Sequence, residues 1–378
     1  MADNRRFIVE IIGENPAKAW GLTSMERLKR MLHAEKIEVA SARTPDLPLL
    51  VADSDYIFER LWLRLALNTP GSVLTINGRP VLAHLPDHTS LEGVRAAMTE
   101  KRGPENTAGL TVIPMDEGMT IENEELRKRE APFAGRLTAE TAAKAERATY
   151  YGAYKGVTDV LTKYLWPELA LVLTRLAARI GMTPNMVTAI GAALCVYATW
   201  LFYQGNFWGG VAAGFVFMVL DTVDGKLARC TITSSKWGNV FDHGIDLVHP
   251  PFWWYAWGLG LTKVNLGIGN DTLWALMAVI VIGYVLQRLI EGEFIRAFGM
   301  HIHVWRKFDS QFRLITARRN PNMVILVVAL IFNRPDIGLE LVAWWTIISL
   351  VVHAVRLAQA YITRLGGRDV TSWLEQGT

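Results

Sequence analysis

The chain has 378 residues, of which 51% are hydrophobic and 20% are charged, and its net charge at pH 7 is +3. This composition excludes an intrinsically disordered protein, and a mean hydropathy of +0.19 argues against an entirely water-soluble enzyme. The positive charge forms no dense basic stripe, so we expect no nucleic-acid partner. The two cysteines, Cys195 and Cys230, cannot build a disulfide framework or a thiolate metal site.

The first 120 residues predict a soluble, cytoplasmic α/β domain. The apolar run before residue 13 is too short for a secretory signal, so we expect the N-terminus to stay in the cytoplasm. Asn77–Gly78 predicts a tight turn between two strands. Short β-branched runs alternate with helical periodicity, which predicts strands at 7–12, 37–40, 47–52, 72–76 and 80–85 and helices at 24–35 and 56–68.

Residues 121–160 are charged and rich in alanine, which predicts a linker of one or two exposed helices. In the following segment, 162–181, charged residues interrupt one apolar side at Lys163, Arg175 and Arg179. This pattern predicts an amphipathic helix on the membrane surface. We expect a transmembrane domain at 161–365 and a cytoplasmic tail at 366–378.

Six apolar stretches follow, and we interpret them as six transmembrane helices. They occupy residues 186–203, 207–220, 241–261, 272–290, 321–333 and 338–355. Because a spanning helix needs about 20 residues, the second must continue past residue 220, and the fifth is short. Basic residues concentrate in the loops after the second and fourth spans, so these loops and both termini are predicted to face the cytoplasm, in an inner membrane.

The most informative stretch is 221–246, because it places carboxylates inside predicted membrane helices. Asp221 and Asp224 are three residues apart and share one face of a helix. Asp242 and Asp246 are four residues apart and share one face of the next helix. Small residues leave room for a ligand beside them, at Gly225, Ala228 and Gly238.

Four unpaired carboxylates would cost on the order of 10 kcal/mol at membrane depth, so some cation must neutralise them. Part of that charge could come from Lys226, Arg229 and Lys236. A hard divalent ion is the better explanation, because Mg²⁺ binds through carboxylates together with substrate phosphates. The alternative, solvated Asp residues at helix ends, suits one or two of the four only.

The spacing of these residues resembles the signature of the CDP-alcohol phosphotransferase family. Its eight fixed positions are all matched, at Asp221, Asp224, Gly225, Ala228, Arg229, Gly238, Asp242 and Asp246. The run Thr183-Pro184-Asn185-Met186-Val187-Thr188 also resembles that family's entry to its first transmembrane helix. The resemblance covers roughly residues 160–365.

The resemblance implies a six-helix membrane enzyme, commonly a homodimer, that cleaves a CDP-linked donor and releases CMP. It implies that Asp221, Asp224 and Asp242 bind two divalent ions, Mg²⁺ or Mn²⁺, and that Asp246 joins the metal site and acts as the catalytic base. It further assigns the nucleotide pocket to Gly225, Ala228, Arg229 and Gly238, with Asn185 and Thr188 as further candidates.

A basic loop at 306–322 suggests a site for a phosphorylated acceptor. Arg313, Arg318 and Arg319 offer guanidinium groups that suit phosphate. The alternative is that these arginines only set orientation and attract anionic lipid. We interpret His301 and His303 as interfacial side chains, because the sequence places no third ligand near them.

The N-terminal domain resembles, more loosely, the nucleotidyltransferase fold that some family members carry in front. Asp53 and Asp55 follow a predicted strand, where such an enzyme has a metal-binding Asp. The first strand, however, continues into Gly13-Glu14-Asn15-Pro16-Ala17, which lacks a glycine-rich phosphate loop. We therefore expect a degenerate relative that aids folding, dimerisation or substrate delivery.

The function we predict is transfer of a phosphatidyl group from CDP-diacylglycerol to a phosphorylated alcohol, such as an inositol phosphate, in phospholipid biosynthesis. The alternative within the same chemistry is that a soluble CDP-polyol or CDP-amino alcohol donates to a lipid alcohol. From other classes, a transporter would need broken helices or paired repeats, which the sequence lacks. A non-enzymatic scaffold would not need the intact signature.

Overall fold

A computed structural model describes residues 5–40, 46–103, 109–115 and 118–375 of the chain. These residues form two compact units. The first unit contains the described residues of Met1–Tyr154, together with Arg175–Gly181 and Lys226–Thr233. The second contains Lys155–Thr174, Met182–Gly225 and the described residues from Ser234 onwards.

The first unit is built on a six-stranded sheet in the order β2-β1-β3-β6-β5-β7. Neighbouring strands are parallel except that β6 is antiparallel to β3 and β5. The turn between β5 and β6 places Asn77 and Gly78 at φ of 50° and 74°, as the Asn-Gly pair predicts. The strands are β1 (Arg6–Ile12), β2 (Glu38–Val39), β3 (Leu49–Asp53), β4 (Tyr56–Phe58), β5 (Ser72–Ile76), β6 (Arg79–Leu85) and β7 (Thr111–Pro114).

Both faces of this sheet are covered by helices, because successive side chains of a strand point to opposite faces. In β3, Leu50 packs in one core, to which α1 (Ser24–Ala34) and α2 (Arg60–Asn68) contribute. The neighbouring Leu49 packs in a second core, together with α3 (Leu91–Thr99). The predicted α/β domain is confirmed, although 56–58 form the short strand β4 rather than the start of a helix.

The segment predicted as a helical linker has a different structure. Residues 121–130 form an antiparallel hairpin of β8 (Ile121–Asn123) and β9 (Lys128–Glu130), and β10 (Ala134–Arg136) pairs with β4. One helix, α4 (Ala142–Gly152), is present, and it buries Ala145, Thr149 and Tyr150. The charged composition misled the helical prediction, since hairpin strands at a surface also carry alternating charges.

The predicted amphipathic helix at 162–181 is two helices, α5 (Val160–Tyr164) and α6 (Pro167–Arg179). The break falls next to Pro167, which lacks the N–H that a continuous helix requires and suits a first helical position. Between them, Trp166 is fully buried, with its ring edge-on to Phe215. The exposed side of α6 is apolar, at Leu169, Val172 and Leu176.

All six predicted apolar stretches lie in helices that belong wholly or mostly to the second unit. These are α7 (Pro184–Tyr203), α8 (Phe207–Cys230), α9 (Lys236–Lys263), α10 (Asn270–Phe298), α12 (Arg319–Ile331) and α13 (Pro335–Leu365). Among the described residues, three are long and apolar enough to cross a membrane, namely α7, α10 and α13, while α12 is shorter. The chain is therefore helical and membrane-embedded over this part.

The helix α8 continues past residue 220 into the polar stretch, as its predicted span required. It ends at Cys230, so the first pair of signature carboxylates lies inside a continuous helix. Between α10 and α12 the chain forms a short 3₁₀ turn (Ile302–Val304) and α11 (Lys307–Phe312). The C-terminal segment returns to this turn, where Ser372 Oγ donates to the carbonyl of Val304 at 2.9 Å.

Candidate active site

The helices α8 and α9 bring three of the four predicted metal-binding carboxylates together. Asp221, Asp242 and Asp246 each offer one carboxylate oxygen, and these oxygens all lie within 4.8 Å of one another. The spacing of three and four residues on successive helices produces this convergence, as the sequence predicts. An all-oxygen set of three carboxylates fits a hard divalent cation such as Mg²⁺ or Mn²⁺.

Arg319, at the start of α12, is the cation that pairs with this site in the structure. Its Nη2 donates to Asp221 Oδ2 at 2.7 Å, and its Nη1 donates to Asp246 Oδ1 at 2.6 Å. The exposed fraction of the side chain is 11% for Arg319, 18% for Asp221 and 43% for Asp246. Asp246 is therefore the carboxylate of this ion-paired set that an incoming molecule reaches most easily.

Asp224 has its own partner on the neighbouring helix. Its Oδ2 accepts a hydrogen bond of 2.6 Å from Thr188 Oγ1, and Asp224 is only 3% exposed. Thr188, which the sequence offers as a candidate for the nucleotide pocket, uses its hydroxyl here to hold this carboxylate. The bond fixes the orientation of Asp224, which lies within electrostatic range of Asp221 and Asp242.

Gly238 permits the close approach that its place in the signature predicts. A Cβ added there would lie 3.0 Å from Asn185 Oδ1 and 3.0 Å from Ser235 Oγ, tighter than ordinary contacts. Ser235 is the N-cap of α9, and its hydroxyl accepts from the Gly238 N–H at 3.0 Å. The amide of Asn185 and the first turn of α9 are thereby brought side by side.

Two further signature residues, Ala228 and Arg229, belong to the first compact unit with the rest of segment 226–233. Arg229 Nε donates to the carbonyl of Ala153 at 3.1 Å. The ammonium group of Lys226 lies over the ring of Tyr154. Lys226 and Arg229, which the sequence offers as partial counterions, thus contact the end of α4 and the residues after it.

A second polar cluster is centred on Glu291 of α10, and its Arg318 directly precedes Arg319 in the sequence. Arg318 Nη2 donates to both Glu291 oxygens at 2.6 Å, and Arg288 Nη2 donates to Oε1 at 2.8 Å. His303 Nε2 lies 3.1 Å from the same Oε1, and His353 Nε2 lies 3.9 Å from it. Together with the half-buried Arg313, we call these residues the arginine–histidine cluster.

The prediction that His303 is an interfacial side chain is wrong. His303 is 3% exposed and contacts Glu291, and a third group, His353, is within ligand distance of both. Burial lowers the pKa of His303 well below its usual range, so its imidazole is neutral. A divalent cation is nevertheless disfavoured at this cluster, because three guanidinium groups surround one carboxylate.

The arginine–histidine cluster has more hydrogen-bond donors than acceptors. Three buried guanidinium atoms of this cluster have no hydrogen-bond partner among the described residues: Arg288 Nε, Arg313 Nη1 and Arg318 Nε. Neither ring nitrogen of His353 has a hydrogen-bond partner among the described residues. Because a buried unsatisfied donor costs about 1–3 kcal/mol, an anion with several acceptor oxygens fits this cluster.

Sequence reasoning missed Glu291, His353 and the pair of Asp159 and Asn320. Asn320 Nδ2 donates to Asp159 Oδ1 at 3.0 Å, which ties α12 to the N-cap of α5. A signal did exist for His353, since a titratable residue within a predicted apolar span is a functional candidate by default. Asp159 offered no such signal in the sequence, because an isolated Asp before a helix is an ordinary capping residue.

Comparison with known proteins matches this half of the chain to one family. Residues 181–351 match the family model described as CDP-alcohol phosphatidyltransferase. The archaetidylinositol phosphate synthase of Pyrococcus horikoshii is 30% identical over 184 residues, which cover 47% of this chain and 86% of that protein. The chain belongs to the CDP-alcohol phosphatidyltransferase family.

Other similar proteins have related names. The phosphatidylinositol phosphate synthase of Mycobacteroides abscessus is 32% identical over 151 residues, covering 38% of this chain and 66% of that protein. A solved structure of the Mycobacterium tuberculosis phosphatidylinositol phosphate synthase with CDP-DAG bound covers 50% of this chain and 94% of that one, at 18% identity and a TM-score of 0.39.

Membership confirms the resemblance predicted from the eight signature positions. The chain is a membrane-embedded transferase of phospholipid biosynthesis, since that is the chemistry of the CDP-alcohol phosphatidyltransferase family. The intact carboxylates and the family match together exclude the transporter interpretation. The match begins at residue 181, so it leaves the N-terminal α/β domain unassigned.

Proposed function

We propose that this chain transfers a phosphatidyl group from CDP-diacylglycerol to an inositol phosphate and releases CMP. The observation that carries the proposal is the convergence of three carboxylates from α8 and α9 within 4.8 Å, beside a cluster of buried donors that lack acceptors. The first group suits metal-bound pyrophosphate, and the second suits the phosphate of an acceptor. Relatives named as inositol phosphate lipid synthases support the same pair of substrates.

In the proposed reaction, an acceptor hydroxyl oxygen attacks the phosphorus that bears diacylglycerol. A new P–O bond forms, the bond to the bridging pyrophosphate oxygen breaks, and CMP leaves with that oxygen. Asp246 takes the hydroxyl proton, because it is the carboxylate with the most exposed side chain in the Arg319 ion pair. Mg²⁺ or Mn²⁺, two ions per site, would screen the pyrophosphate charge when held by Asp221, Asp224, Asp242 and Asp246.

The nucleotide would occupy the signature residues that follow the first carboxylates. Gly225, Ala228 and Arg229 on α8 and Gly238 on α9 are the family positions for the CDP moiety. Asn185 supports this assignment by its closeness to Gly238. Thr188 contributes indirectly, by holding Asp224.

The acceptor phosphate is proposed to bind at the arginine–histidine cluster. Arg313 and Arg318, which the sequence predicts as phosphate ligands, both lie there with unpartnered donor atoms. Arg319 follows Arg318 directly and instead pairs with Asp221 and Asp246. These two consecutive arginines therefore link the proposed acceptor site to the proposed metal site, at the N-terminus of α12.

A groove between α7 and α9 supports a lipid donor. It encloses about 1040 Å³, and its lining is almost entirely apolar, including Val196, Trp200, Phe241, Ile245 and Phe252. An acyl chain fits such a groove by burial of apolar surface. The groove runs along the helix that carries Asp242 and Asp246, so a tail lying there would keep its headgroup near the carboxylates.

For the whole chain we propose six spans, with α5 and α6 at the interface, in the cytoplasmic membrane of a cell. Both termini and the basic loops would face the cytoplasm, in accord with the distribution of Lys and Arg. We further propose a homodimer, as the family resemblance implies. Residues 161–365 would form the catalytic domain, with 366–378 as a cytoplasmic tail.

The N-terminal domain is proposed to be a degenerate nucleotidyltransferase relative without catalytic activity. The segment between β1 and α1 lacks a glycine-rich phosphate loop and carries the buried Trp20, whose Nε1 donates to Thr149 Oγ1 at 2.9 Å. Asp55, one of the two candidate metal ligands, is paired with Lys101 at 2.8 Å. Burial raises the pKa of the other, Asp53, which weakens it as a metal ligand.

The test is an assay of the purified full chain with each donor and acceptor offered singly. Radiolabelled CDP-diacylglycerol with inositol phosphate and Mg²⁺ is expected to give a labelled phosphatidyl product and an equal amount of CMP. Inositol, serine and glycerol phosphate serve as competing acceptors. Transfer to unphosphorylated inositol at the same rate would contradict the assignment of the arginine–histidine cluster.

The second candidate is transfer from a soluble CDP-alcohol to a lipid alcohol. It is favoured by a 36% identity over 137 residues to a choline/ethanolaminephosphotransferase of Arabidopsis thaliana, which covers 33% of that protein. Offering CDP-inositol or CDP-choline with diacylglycerol separates the two candidates. Product formation in this arm alone would replace our proposal by the second one.

A further inference from the structure

The loop that carries the end of the family signature is held by arginines of helix α1. Segment 226–233 contains the last turn of α8 and the residues that follow it, and it lies in the same compact unit as the α/β domain. Arg27 and Arg30 are three residues apart, so they lie on one face of α1. Arg27 Nη1 donates to the Cys230 carbonyl at 2.8 Å, and Arg30 Nη1 donates to the Thr231 carbonyl at 2.7 Å.

These two bonds satisfy carbonyl groups at the end of α8 that have no partner within the helix. The final carbonyls of a helix lack intrahelical donors. Those of Leu227, Ala228 and Arg229 are met by backbone N–H groups of residues 231–233. The next carbonyls, of Cys230 and Thr231, are met by the guanidinium groups, whose positive charge also suits a helix C-terminus.

The turn at this helix end has an unfavourable sequence and depends on outside support. The Thr233 N–H donates to the Ala228 carbonyl at 2.8 Å, the bond that closes a Schellman turn. The left-handed position of that turn is Ile232, with φ of 55°, where glycine is usual and a β-branched residue is strained. The Ile232 side chain packs against the core formed by β1, α1 and α2, which holds it in place.

Further contacts attach the same segment to the end of α4. Arg229 Nε donates to the Ala153 carbonyl at 3.1 Å. Lys226 is 2% exposed and lies over the rings of Tyr150 and Tyr154, whose hydroxyl groups are 2.9 Å apart. The buried Lys226 and the half-buried Arg229, with these partners, form a fixed arrangement rather than a solvated loop.

We propose that Arg27 and Arg30 are positioning residues for nucleotide binding, acting by holding the last turn of α8, which bears Ala228 and Arg229. This inference rests on the proposed function, which assigns Ala228 and Arg229 to nucleotide binding. It gives the N-terminal domain a task that needs no active site of its own. The domain fixes the end of the signature helix, so loss of its contact impairs the membrane enzyme.

The experiment compares Arg30→Gln with Arg30→Lys and with Lys29→Gln, in the full chain purified in detergent. Arg30 is preferred to Arg27 because it is only partly buried, so its variant is expected to fold. Lys29 is an exposed neighbour on α1 and serves as the matched control. Binding of CMP in the presence of Mg²⁺, transfer kinetics and hydrogen exchange of segment 226–233 are measured for each.

For Arg30→Gln we expect about a tenfold rise in the Kd of CMP and in the KM of the CDP-linked donor, since a charge-assisted bond is lost, with kcat changed by less than about twofold. In the same variant, the protection of segment 226–233 against hydrogen exchange is expected to fall. Arg30→Lys restores most of the affinity, and Lys29→Gln leaves it unchanged. Wild-type CMP affinity in Arg30→Gln, with or without faster exchange, overturns the proposal.

The outcome also separates this inference from the proposed function. One outcome is that the wild-type chain makes no lipid product, while Arg30→Gln still weakens CMP binding and the protection of 226–233. That outcome contradicts the proposed function and supports the positioning role. A chain that makes the lipid at equal donor KM in all variants supports the function and contradicts the positioning role.

Discussion

At the scale of single residues, Asp246 differs from the other carboxylates of the cluster in being reachable. Its side chain is 43% exposed, whereas the Asp221 side chain is 18% exposed and Asp224 is buried. A base must meet the acceptor hydroxyl, while a ligand that only holds a cation does not. This difference in exposure supports the proposal that Asp246 acts as the base and that the other carboxylates mainly hold the cations.

Replacing Asp246 by Asn is expected to abolish transfer while leaving donor binding largely intact. A positioned base contributes about 10²–10⁴ in rate, so kcat should fall by at least about a hundredfold. Transfer kinetics and binding of CDP-diacylglycerol are measured on the same preparation. Asp271→Asn, at an exposed Asp in the first turn of α10, is the matched control. Equal losses of binding and turnover would make Asp246 chiefly a metal ligand.

Arg319 is expected to compete with the metal, because it already neutralises Asp221 and Asp246. Arg319→Gln leaves these carboxylates without their partner, so the metal-free variant should lose on the order of 3 kcal/mol of stability. Mg²⁺ should then raise its melting temperature more than that of the wild type. Arg334→Gln removes an arginine that is 53% exposed and should cost less than about 1 kcal/mol.

The melting temperature of each variant with and without Mg²⁺ provides the measurement. An equal metal-induced shift in the wild type and in Arg319→Gln would mean that the ion binds elsewhere. Of the three arginines that the sequence proposes for an acceptor phosphate, Arg319 alone was paired with the signature carboxylates. Sequence spacing could not show this, because α12 follows α8 by about ninety residues and only packing brings them together.

At the scale of helices and strands, the alternating and helical patterns of apolar residues predicted most elements of the chain. The five predicted strands were found in the sheet, whose sixth strand β7 was not predicted, and the continuation of α8 into its polar half was also found. The failures have physical reasons. Residues 121–130 form a hairpin despite helix-favouring charges, and Pro167 divides a segment whose apolar side looks continuous in sequence.

The N-cap residue of α2, Glu59, makes the stability of the first unit depend on pH. Burial raises its pKa to about 7 from the usual 4.5. Between these values the folded state holds a proton that the unfolded state has released, so stability falls as pH rises through this window. The loss amounts to about 3 kcal/mol above pH 7. Below pH 4.5 both states are protonated and the contribution is fully present.

Glu59→Gln should therefore stabilise the first unit at pH 8 and have little effect at pH 4.5. A Gln side-chain oxygen can still accept the bond of 2.6 Å that Glu59 receives from the Phe133 N–H. Unfolding of the full chain is followed by proteolysis within residues 5–154 at both pH values. Glu92→Gln, at a carboxylate 80% exposed, is the control and should show no such difference. A pH slope unchanged in Glu59→Gln would contradict this assignment.

At the scale of the whole molecule, the chain combines a membrane-enzyme half with an α/β half. The sequence identified the enzyme half from the spacing of its carboxylates, because that spacing can be recognised without knowing how the helices pack. The arginine–histidine cluster was only partly predictable, because Glu291, His303 and His353 come from three separate segments. The same holds for Arg27 and Arg30, which meet segment 226–233 across about two hundred residues.

The proposed mechanism requires that α8 and α9 together hold the divalent ions of the site. Fe²⁺ in place of Mg²⁺, with ascorbate and peroxide, cuts the backbone near its binding site, and mass spectrometry maps the cuts. We predict cleavage around both 221–224 and 242–246, suppressed by excess Mg²⁺ and absent in Asp242→Asn. Cleavage confined to one of the two helices, or none that Mg²⁺ suppresses, would contradict the account.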